Sequence, residues 1–263
     1  MISKAKIKYI KSLEQKKFRR SSGCFVAEGP KVVGELLDVM QPRMVVAESS
    51  WLTRNEEKLQ KLTKQPGQNG FVEIVEVDEE ELRKVSFLQH PQEVLGVFTI
   101  SETPADDVVK AANSGLSLAL DGVQDPGNLG TIIRVADWFG IRTVFCSPMT
   151  ADIYSPKALQ ATMGSVARVQ TVYMDLAELF HKIDKDLPVY GTFLDGDNIY
   201  TTPLSDKGII VMGNEGNGIS AQTAAFISKR LLIPNYPVGV ESAESLNVAI
   251  ATALTCAEFR RRM

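Results

Sequence analysis

Short apolar runs alternate with amphipathic stretches along the whole chain. Runs such as Cys24–Glu28 and Leu116–Leu120 are largely apolar and have the length of strands. Between such runs, segments such as residues 131–139 and 176–183 repeat their apolar positions at the spacing of a helix. Strands that alternate with helices in this way predict an α/β fold.

A polar stretch interrupts this pattern at residues 101–107. Its sequence, Ser-Glu-Thr-Pro-Ala-Asp-Asp, replaces the apolar period with charge and proline. We therefore predict a boundary near residue 106 between two domains, residues 1–106 and residues 107–263. Both domains are expected to contain strands and helices, and the second is the larger.

Composition narrows the class of protein. The 263 residues are 44 % hydrophobic and 23 % charged, as in globular domains, and no apolar run approaches the ~20 residues that cross a bilayer. The three cysteines lie far apart in apolar stretches, which favours buried thiols in a reducing compartment. We therefore expect a cytoplasmic protein without membrane contact. The two histidines have no cysteine or histidine at ligand spacing, so no metal site is predicted.

Charge is distributed unevenly along the chain. Residues 1–31 contain nine Lys/Arg and two Glu, a net +7, although the whole chain carries −3. A basic arm on an acidic body suggests that contacts with phosphate begin at the N-terminus. A solvated amphipathic helix that binds no nucleic acid is the alternative.

Three loops rich in small and amide residues each follow a predicted strand and precede a predicted helix. They are loop one (residues 121–134), loop two (residues 211–220) and loop three (residues 233–247). Open α/β sheets bind ligands outside the carboxyl ends of their strands, which is where such loops lie. Loop two has the spacing G-x-x-G-x-G, which is neither the dinucleotide fingerprint nor a P-loop. Taken alone, it is equally compatible with a structural turn.

Loops one and three contain candidate functional side chains. In loop one, Arg134 is expected in the first turn of a helix, where a cation opposes the helix dipole. Contact with a phosphate explains that placement, and a salt bridge to Asp137 is the alternative. In loop three, Ser245 is the expected N-cap of the last helix, with Asn247 inside its first turn.

Taken together, the three loops resemble the signature motifs of the SpoU (TrmH-type) family of RNA 2′-O-ribose methyltransferases, in the SPOUT superfamily. Residues 128–134 (NLGTIIR) resemble motif one and residues 213–218 (GNEGNG) resemble motif two. Ile233-Pro234 with Ser245-Leu246-Asn247 resembles motif three. Residues 25–31 (FVAEGPK) resemble the opening of the substrate-binding domain that often precedes this catalytic domain, so the resemblance covers nearly the whole chain.

The resemblance implies an α/β fold with a parallel sheet and a C-terminal trefoil knot, preceded by a smaller α/β RNA substrate-binding domain. General rules of chain connectivity argue against a knot, so the resemblance alone implies it. The implied activity is S-adenosylmethionine-dependent 2′-O-methylation of a ribose in structured RNA, by a homodimer with active sites at its interface. We favour ribosomal RNA as the substrate, with transfer RNA as the alternative.

The family motifs also imply which residues act. The implied catalytic residues are Asn128, Arg134, Glu215, Ser245 and Asn247, and the implied donor-binding residues are Thr192, Gly213, Ile233 and Leu246. In the family, the counterpart of Arg134 is proposed to deprotonate the ribose hydroxyl. Because a guanidinium is protonated at neutral pH, stabilising the developing alkoxide is an equally good role. Glu215 and Asn128 are expected to orient Arg134.

The sequence departs from the family pattern at one place, and two other classes of protein are alternatives. Loop three is longer than in the commonest family form, so donor contacts within residues 235–244 stay open. A non-catalytic RNA-binding protein is the first rival, and the intact catalytic motifs argue against it. The second rival, a nucleotide-dependent doubly wound enzyme, lacks a G-x-G-x-x-G after the first strand.

Overall fold

The computed structural model describes residues 2–64, 71–101, 104–237 and 243–261. Residues 102–103 of the predicted linker and residues 238–242 of loop three lie outside these ranges. The chain divides into two compact units. One comprises Met1–Glu102 with Tyr154–Ala167, and the other comprises Thr103–Ile153 with Arg168–Met263.

The first unit is a four-stranded sheet with helices on both faces. Its elements up to residue 102 are α1 (Lys4–Ser12), α2 (Lys16–Ser22), β1 (Cys24–Glu28), α3 (Pro30–Leu37), β2 (Pro42–Ala47), α4 (Ser49–Arg54), α5 (Glu56–Lys64), β3 (Glu73–Glu76), α6 (Glu79–Val85) and β4 (Val94–Thr99). The strand order is β1-β4-β2-β3, in which β4 is antiparallel to both neighbours and β2 is parallel to β3.

Consecutive residues of one strand pack into two different cores in this unit. Phe25 packs with residues of α3 and α4, whereas its neighbour Val26 packs with residues of α1 and α6. Because successive side chains of a strand point to opposite faces, a strand that is covered on both faces is apolar throughout. The unbroken apolar run of β1 follows from this double coverage.

The second unit is built on a six-stranded parallel sheet, which confirms the predicted α/β fold. The remaining elements of the chain are α7 (Ala105–Asn113), β5 (Leu116–Leu120), α8 (Pro126–Trp138), β6 (Thr143–Cys146), α9 (Pro156–Thr162), β7 (Gln170–Tyr173), α10 (Leu176–Lys182), β8 (Val189–Asn198), β9 (Gly208–Met212), α11 (Ala221–Ala224), β10 (Lys229–Leu232) and α12 (Val248–Arg261). The strand order is β10-β8-β9-β5-β6-β7, and every neighbouring pair is parallel.

The order of the strands reverses in the middle of this sheet. From β5 the chain adds β6 and β7 on one side, and it then returns to add β8, β9 and β10 on the other. β5 and β9 are therefore adjacent in the sheet although they are distant in sequence. Such a reversal opens a crevice at the carboxyl ends of the strands, and ligands bind there in open α/β folds.

The contacts divide the chain differently from the single boundary that we placed at residue 106. The second unit begins at Thr103, and residues 154–167, which include α9, belong to the first unit. The ring of Tyr154 packs against Phe25 with 4.5 Å between centroids, and Leu159 lies in the same apolar cluster. Apolar burial thus assigns α9 to the first unit.

Two further expectations concern the thiols and the membrane. Cys24, Cys146 and Cys256 are buried and free, as predicted. Burial raises the pKa of the Cys256 thiol to about 12 and that of Cys146 as well, so both stay protonated. Across the described ranges, no helix is long and apolar enough to cross a membrane.

Candidate active site

Loops one and two meet where the strand order reverses, because they follow the adjacent strands β5 and β9. The backbone amide of Asp121 donates to the carbonyl of Met212 (2.9 Å), and the side-chain amide of Asn214 donates to the carbonyl of Gly122 (2.7 Å). The backbone amide of Ser220 donates to the Asp121 carboxylate (2.8 Å). Hydrogen bonds therefore join the two loops at several points.

Loop one enters its helix earlier than the sequence predicted. α8 begins at Pro126 rather than near Thr131, because Asp125 caps it by accepting from the amide of Asn128 (2.8 Å). Two glycines in the first turns weaken the helical signal of the sequence. Asn128 therefore lies in the first turn and Arg134 lies deeper in the helix. The expectation that Arg134 opposes the helix dipole at the N-terminus was wrong.

Loop two is a tight turn whose own side chains hold it closed. The backbones of Asn214 and Gly218 exchange hydrogen bonds of 2.9 and 3.0 Å, and the Asn214 side-chain oxygen accepts from the amides of Gly216 and Asn217. Gly218 has a φ of 68°, which favours glycine. A Cβ on Gly213 would lie 2.3 Å from the carbonyl carbon of Gly218, so this close approach requires glycine as well.

Glu215, in loop two, holds the start of α8. Its carboxylate accepts from the backbone amides of Gln124 (3.2 Å) and Asp125 (3.3 Å) and from the side-chain amide of Asn128 (3.0 Å). Partial burial raises the pKa of Glu215, but these hydrogen bonds outweigh burial and set the pKa below its ordinary value of 4.5. At neutral pH Glu215 is therefore an ionised acceptor and not a proton donor.

Loop three joins this network through Asn247. The Asn247 side-chain oxygen accepts from the amides of Ala249 (2.9 Å) and Ile250 (3.3 Å), which caps α12. Its amino group is then left to donate to the side-chain oxygen of Asn128 (3.0 Å). Asn247, Asn128 and Glu215 thus form one hydrogen-bonded chain, the amide chain, that links all three loops.

Ser245 has a different position from the one predicted. The cap of the last helix is Asn247, so the helix starts later than expected and Ser245 lies two residues before the cap. Ser245 is exposed, and among the described residues it has no hydrogen-bond partner. Its hydroxyl is therefore available to a ligand, whereas the capping role that we expected for it was wrong.

Arg134 is an exposed and unpaired cation. Its guanidinium makes no hydrogen bond or ion pair with any residue in the part of the chain that the structure describes. Asp137, the partner proposed in the alternative interpretation, pairs instead with Arg142 (3.2 Å) and Arg168 (2.8 Å). The local salt bridge to Asp137 therefore does not explain Arg134.

Arg134 and the amide chain lie on different sides of α8. Arg134 lies six positions after Asn128, which places their side chains about 120° apart around the helix axis. The hydrogen bonds of Glu215 go to Asn128 and to loop backbone. Glu215 and Asn128 therefore do not orient Arg134 directly, contrary to our expectation. Trp138, one turn after Arg134 on the same face, is 84 % exposed.

The predicted donor-binding residues occupy the carboxyl edge of three adjacent parallel strands. Thr192 follows the last β8 residue that pairs with β9, and its hydroxyl lies 3.8 Å from the sulfur of Met212. Gly213 directly follows β9, and Ile233 directly follows β10. All three are half-buried and uncharged, and exposed Leu246 precedes α12. Backbone polar groups beside apolar side chains suit the nucleoside of S-adenosylmethionine.

Sequence reasoning missed three residues that build the site. Asp121, Asp125 and Asn214 each cross-link or cap the loops, and each lies inside a loop that the sequence had singled out. Their side chains bond to backbone groups that become neighbours only when β5 and β9 pair. An Asp directly before Pro126 was the one available signal, since Asp-Pro favours the start of a helix.

Models of two protein families match the chain. Residues 115–257 match the model of the SpoU rRNA Methylase family, and residues 4–96 match the MRM3-like substrate binding domain. The chain belongs to the SpoU rRNA methylase family. The resemblance inferred from the three motifs, and the class of enzyme that it implied, are thereby confirmed.

Several related proteins match the chain over nearly its whole length. The chain is 31 % identical to the 23S rRNA (guanosine(2553)-2'-O)-methyltransferase RlmP of Bacillus subtilis, over 97 % of this chain and 96 % of that protein. A putative RNA methyltransferase of the TrmH family from Porphyromonas gingivalis superposes with a TM-score of 0.85 at 41 % identity, covering both chains completely. An AdoMet-bound rRNA methyltransferase from Sinorhizobium meliloti superposes with a TM-score of 0.86 at 30 % identity, over 100 % of this chain and 97 % of that one.

Proposed function

We propose that this protein transfers a methyl group from S-adenosylmethionine to the 2′-hydroxyl of a ribose in ribosomal RNA. The observation that carries the proposal is the amide chain of Asn247, Asn128 and Glu215, which ties the three loops together at the switch point of the sheet. Ribosomal RNA is favoured because relatives that span most of this chain are named as 23S rRNA methyltransferases.

The reaction is a displacement that needs alignment more than it needs acid–base chemistry. S-adenosylmethionine supplies a methyl group on a positively charged sulfur. The ribose oxygen gains that methyl group, the sulfur keeps the electron pair of the broken bond, and the hydroxyl proton passes to water. The contribution of the chain is to hold the two reactants in line and to lower the cost of the developing negative charge on oxygen.

The residues divide this work between them. Arg134 is exposed and positively charged and has no partner among the described residues, so it is free to hold the ribose oxygen or a neighbouring phosphate. We assign it electrostatic stabilisation of the developing alkoxide, because a protonated guanidinium is a poor base. Asn128, Glu215 and Asn247 fix the loops, Ser245 offers a free hydroxyl to the substrate, and Thr192, Gly213, Ile233 and Leu246 form the donor site.

We further infer that the protein works as a homodimer in the cytoplasm. α8 and α12 pack against each other, and each exposes apolar side chains. Trp138 is 84 % exposed on α8, and Ile250 and Leu254 are 53 % and 39 % exposed one turn apart on α12. Apolar patches of this kind on a monomer are typical of a protein interface. Arg134 lies beside Trp138, so the interface would adjoin the site. The three free thiols support a reducing compartment.

The two predicted domains have different roles in this proposal. We propose that residues 1–106 bind the RNA substrate and that residues 107–263 carry out methyl transfer, with the C-terminal segment threaded into the trefoil knot of the family. The match of residues 4–96 to a substrate-binding domain supports the first assignment. The basic residues of α1 and α2 support it as well, since they offer charge to phosphates.

A methyl-transfer assay with tritiated S-adenosylmethionine tests the proposal. Ribosomal RNA from a strain lacking the gene should accept label from the wild-type protein. Arg134→Ala should slow transfer by about a hundredfold or more, as removal of an oxyanion donor does, with donor affinity changed by less than about twofold. Lys110→Ala, which removes an exposed cation outside the site, is the control. Full activity of Arg134→Ala would rule out the catalytic assignment.

Mapping 2′-O-methyl groups in the deletion strain and its parent identifies the substrate. We expect one site to disappear from ribosomal RNA. Loss of a site from transfer RNA would replace the substrate assignment, and intact methylation of all RNA together with retained RNA binding would favour a non-catalytic role. Calorimetric titration with S-adenosylmethionine independently separates a methyltransferase from a non-catalytic RNA-binding protein.

A further inference from the structure

Strand β8 leaves its neighbour β10 for five residues and then returns to it. Lys229 and Arg230 of β10 pair with Tyr190 and Gly191 of β8, whereas the next residue, Leu231, pairs with Asp197. Residues 192–196, which we call the β8 excursion, therefore have no partner in this register. The excursion begins at Thr192, a proposed donor-binding residue.

The last residue of the excursion, Gly196, lies directly on the backbone of β10. A Cβ on Gly196 would lie 2.6 Å from the carbonyl carbon of Leu231 and 2.8 Å from that of Arg230. A Cβ on Gly191, just before the excursion, would meet the side chains of Ile227 and Phe193 at 2.3 and 2.7 Å. Glycine at both ends therefore lets the chain pack closely where the excursion leaves β10 and where it returns.

The side chain of Arg230 holds the excursion from the outside. Its guanidinium lies 3.5 Å from the centroid of the Phe193 ring and forms a 2.5 Å salt bridge with the carboxylate of Asp195. The hydrogen bond from Arg230 lowers the pKa of Asp195 below its ordinary value of 3.8, so the pair is fully charged at neutral pH. Arg230 thus contacts two side chains of the excursion, stacking on Phe193 and forming an ion pair with Asp195.

We propose that Arg230 is a positioning residue for the methyl donor, acting by clamping the β8 excursion through Phe193 and Asp195. The inference rests on the proposed function, since Thr192 opens the excursion and β10 leads directly into Ile233. The clamp joins these two donor-binding segments, which belong to strands that do not pair between residues 192 and 196. An exposed ion pair alone would contribute little to holding the excursion in place. A guanidinium stacked on the Phe193 ring also restrains the orientation of the excursion, and not only its distance from β10.

Calorimetric titration of the full-length protein with S-adenosylmethionine tests the clamp. Arg230→Ala should weaken donor binding by about tenfold, because it removes both the stack and the ion pair. Arg230→Lys should recover part of the affinity, since a lysine restores the charge but not the planar stack. Lys229→Ala, the matched control, removes the neighbouring exposed cation and should leave donor affinity unchanged.

Two further measurements separate positioning from a general structural role. Hydrogen exchange of Arg230→Ala should rise in residues 192–196 and not in β9, and the KM for RNA should stay at the wild-type value while the KM for the donor rises. Donor affinity within twofold of wild type, or an equal loss in Lys229→Ala, would overturn the clamp. A wild-type protein that binds no donor would contradict the proposed function instead, and the exchange experiment would still decide the clamp.

Discussion

Glu215 shows how a single side chain converts a glycine-rich turn into part of a site. Motif resemblance predicted that Glu215 matters, but its three hydrogen-bond donors lie some 90 residues earlier in the chain. Those partners depend on which strands pair, and no local pattern encodes that. The same holds for Arg134, where the sequence offered Asp137 as a partner and the structure gives Asp137 to Arg142 and Arg168. The sequence could therefore predict which residues belong to the site, but it could not predict which residues they bond to.

Replacing Glu215 by Gln tests whether its charge holds the site. A neutral amide accepts through one oxygen only, so it cannot satisfy the backbone amides of Gln124 and Asp125 together with Asn128. We expect kcat to fall by about tenfold, because the start of α8 loses alignment. Donor affinity should change little, since none of these contacts involves the proposed donor residues. Single-turnover methyl transfer and calorimetry give the two values, and an unchanged kcat would show that shape alone suffices.

The pH dependence of stability gives a second test of the Glu215 carboxylate. Its pKa is lower in the folded protein than its ordinary value of 4.5, so its ionised form stabilises the fold. The contribution is complete above the unfolded-state pKa and is lost as the pH falls through the folded-state value. The difference in unfolding free energy between wild type and Glu215→Gln should be constant from about pH 6 to 8 and should shrink below about pH 4.5. A difference that grows on acidification would contradict the shift.

At the scale of elements, loop position was predictable while helix boundaries were not. The three loops each follow a strand, and the carboxyl ends of parallel strands share an edge, so their meeting was expected. The start of α8 was placed too late because glycines lower helix propensity, although Asp125 and Pro126 supply a strong cap. The start of α12 was placed too early because Ser245 and Asn247 are both good caps, and only the structure shows that Asn247 is used.

Asn247 has two roles that one pair of substitutions separates. Its oxygen caps α12 and its amino group donates to Asn128. Asn247→Asp keeps the capping oxygen but faces the acceptor oxygen of Asn128 with a second acceptor. It should therefore retain wild-type stability and lose most methyl transfer. Asn247→Ala should lose both, with an unfolding free energy about 1 kcal/mol lower. Urea denaturation and the tritium assay measure the two quantities, and an active Asn247→Asp protein would exclude a role for the amide chain.

At the scale of the molecule, the basic N-terminus separates into structural and free cations. The arm contains two helices, α1 and α2, and each has cations with internal partners and cations that are exposed. Lys6 forms a 2.6 Å salt bridge with Glu73, and buried Arg19 donates to the carbonyls of Leu13 and Glu14. Another group is exposed and forms no ion pair among the described residues: Lys4, Lys8, Lys16 and Lys17. The Lys17 ammonium lies 4.7 Å from the centroid of the neighbouring Phe18 ring. Net charge predicted a basic arm, but only contacts show which charges are available to RNA.

Replacing Lys4, Lys8, Lys16 and Lys17 together by Gln tests the arm. Each phosphate contact that is lost removes counterion release, so RNA binding should weaken and the slope of log K against log salt should flatten by as much as about 3 units. The fold should change little, because all four side chains are exposed and form no ion pair among the described residues. Lys6→Gln is the matched control and should leave the slope unchanged. Filter binding across a salt series measures both, and an unchanged slope in the quadruple variant would make the arm a solvated surface.

The exposed apolar stripe of α12 gives the last prediction, which concerns assembly. Ile250 and Leu254 lie one turn apart on the outer face of a helix that packs against α8, where Arg134 and Trp138 are exposed. A second copy that covers this stripe would bury like residues against like, so Ile250→Glu with Leu254→Glu would bring carboxylates together in an apolar interface, at a cost of several kcal/mol. We expect the wild type to sediment at twice the 28.9 kDa chain mass and this variant as a monomer that has lost methyl transfer. Val39→Glu, which charges an exposed apolar residue of the first unit, should stay dimeric and active. A fully active monomer would show that each site is complete within one chain.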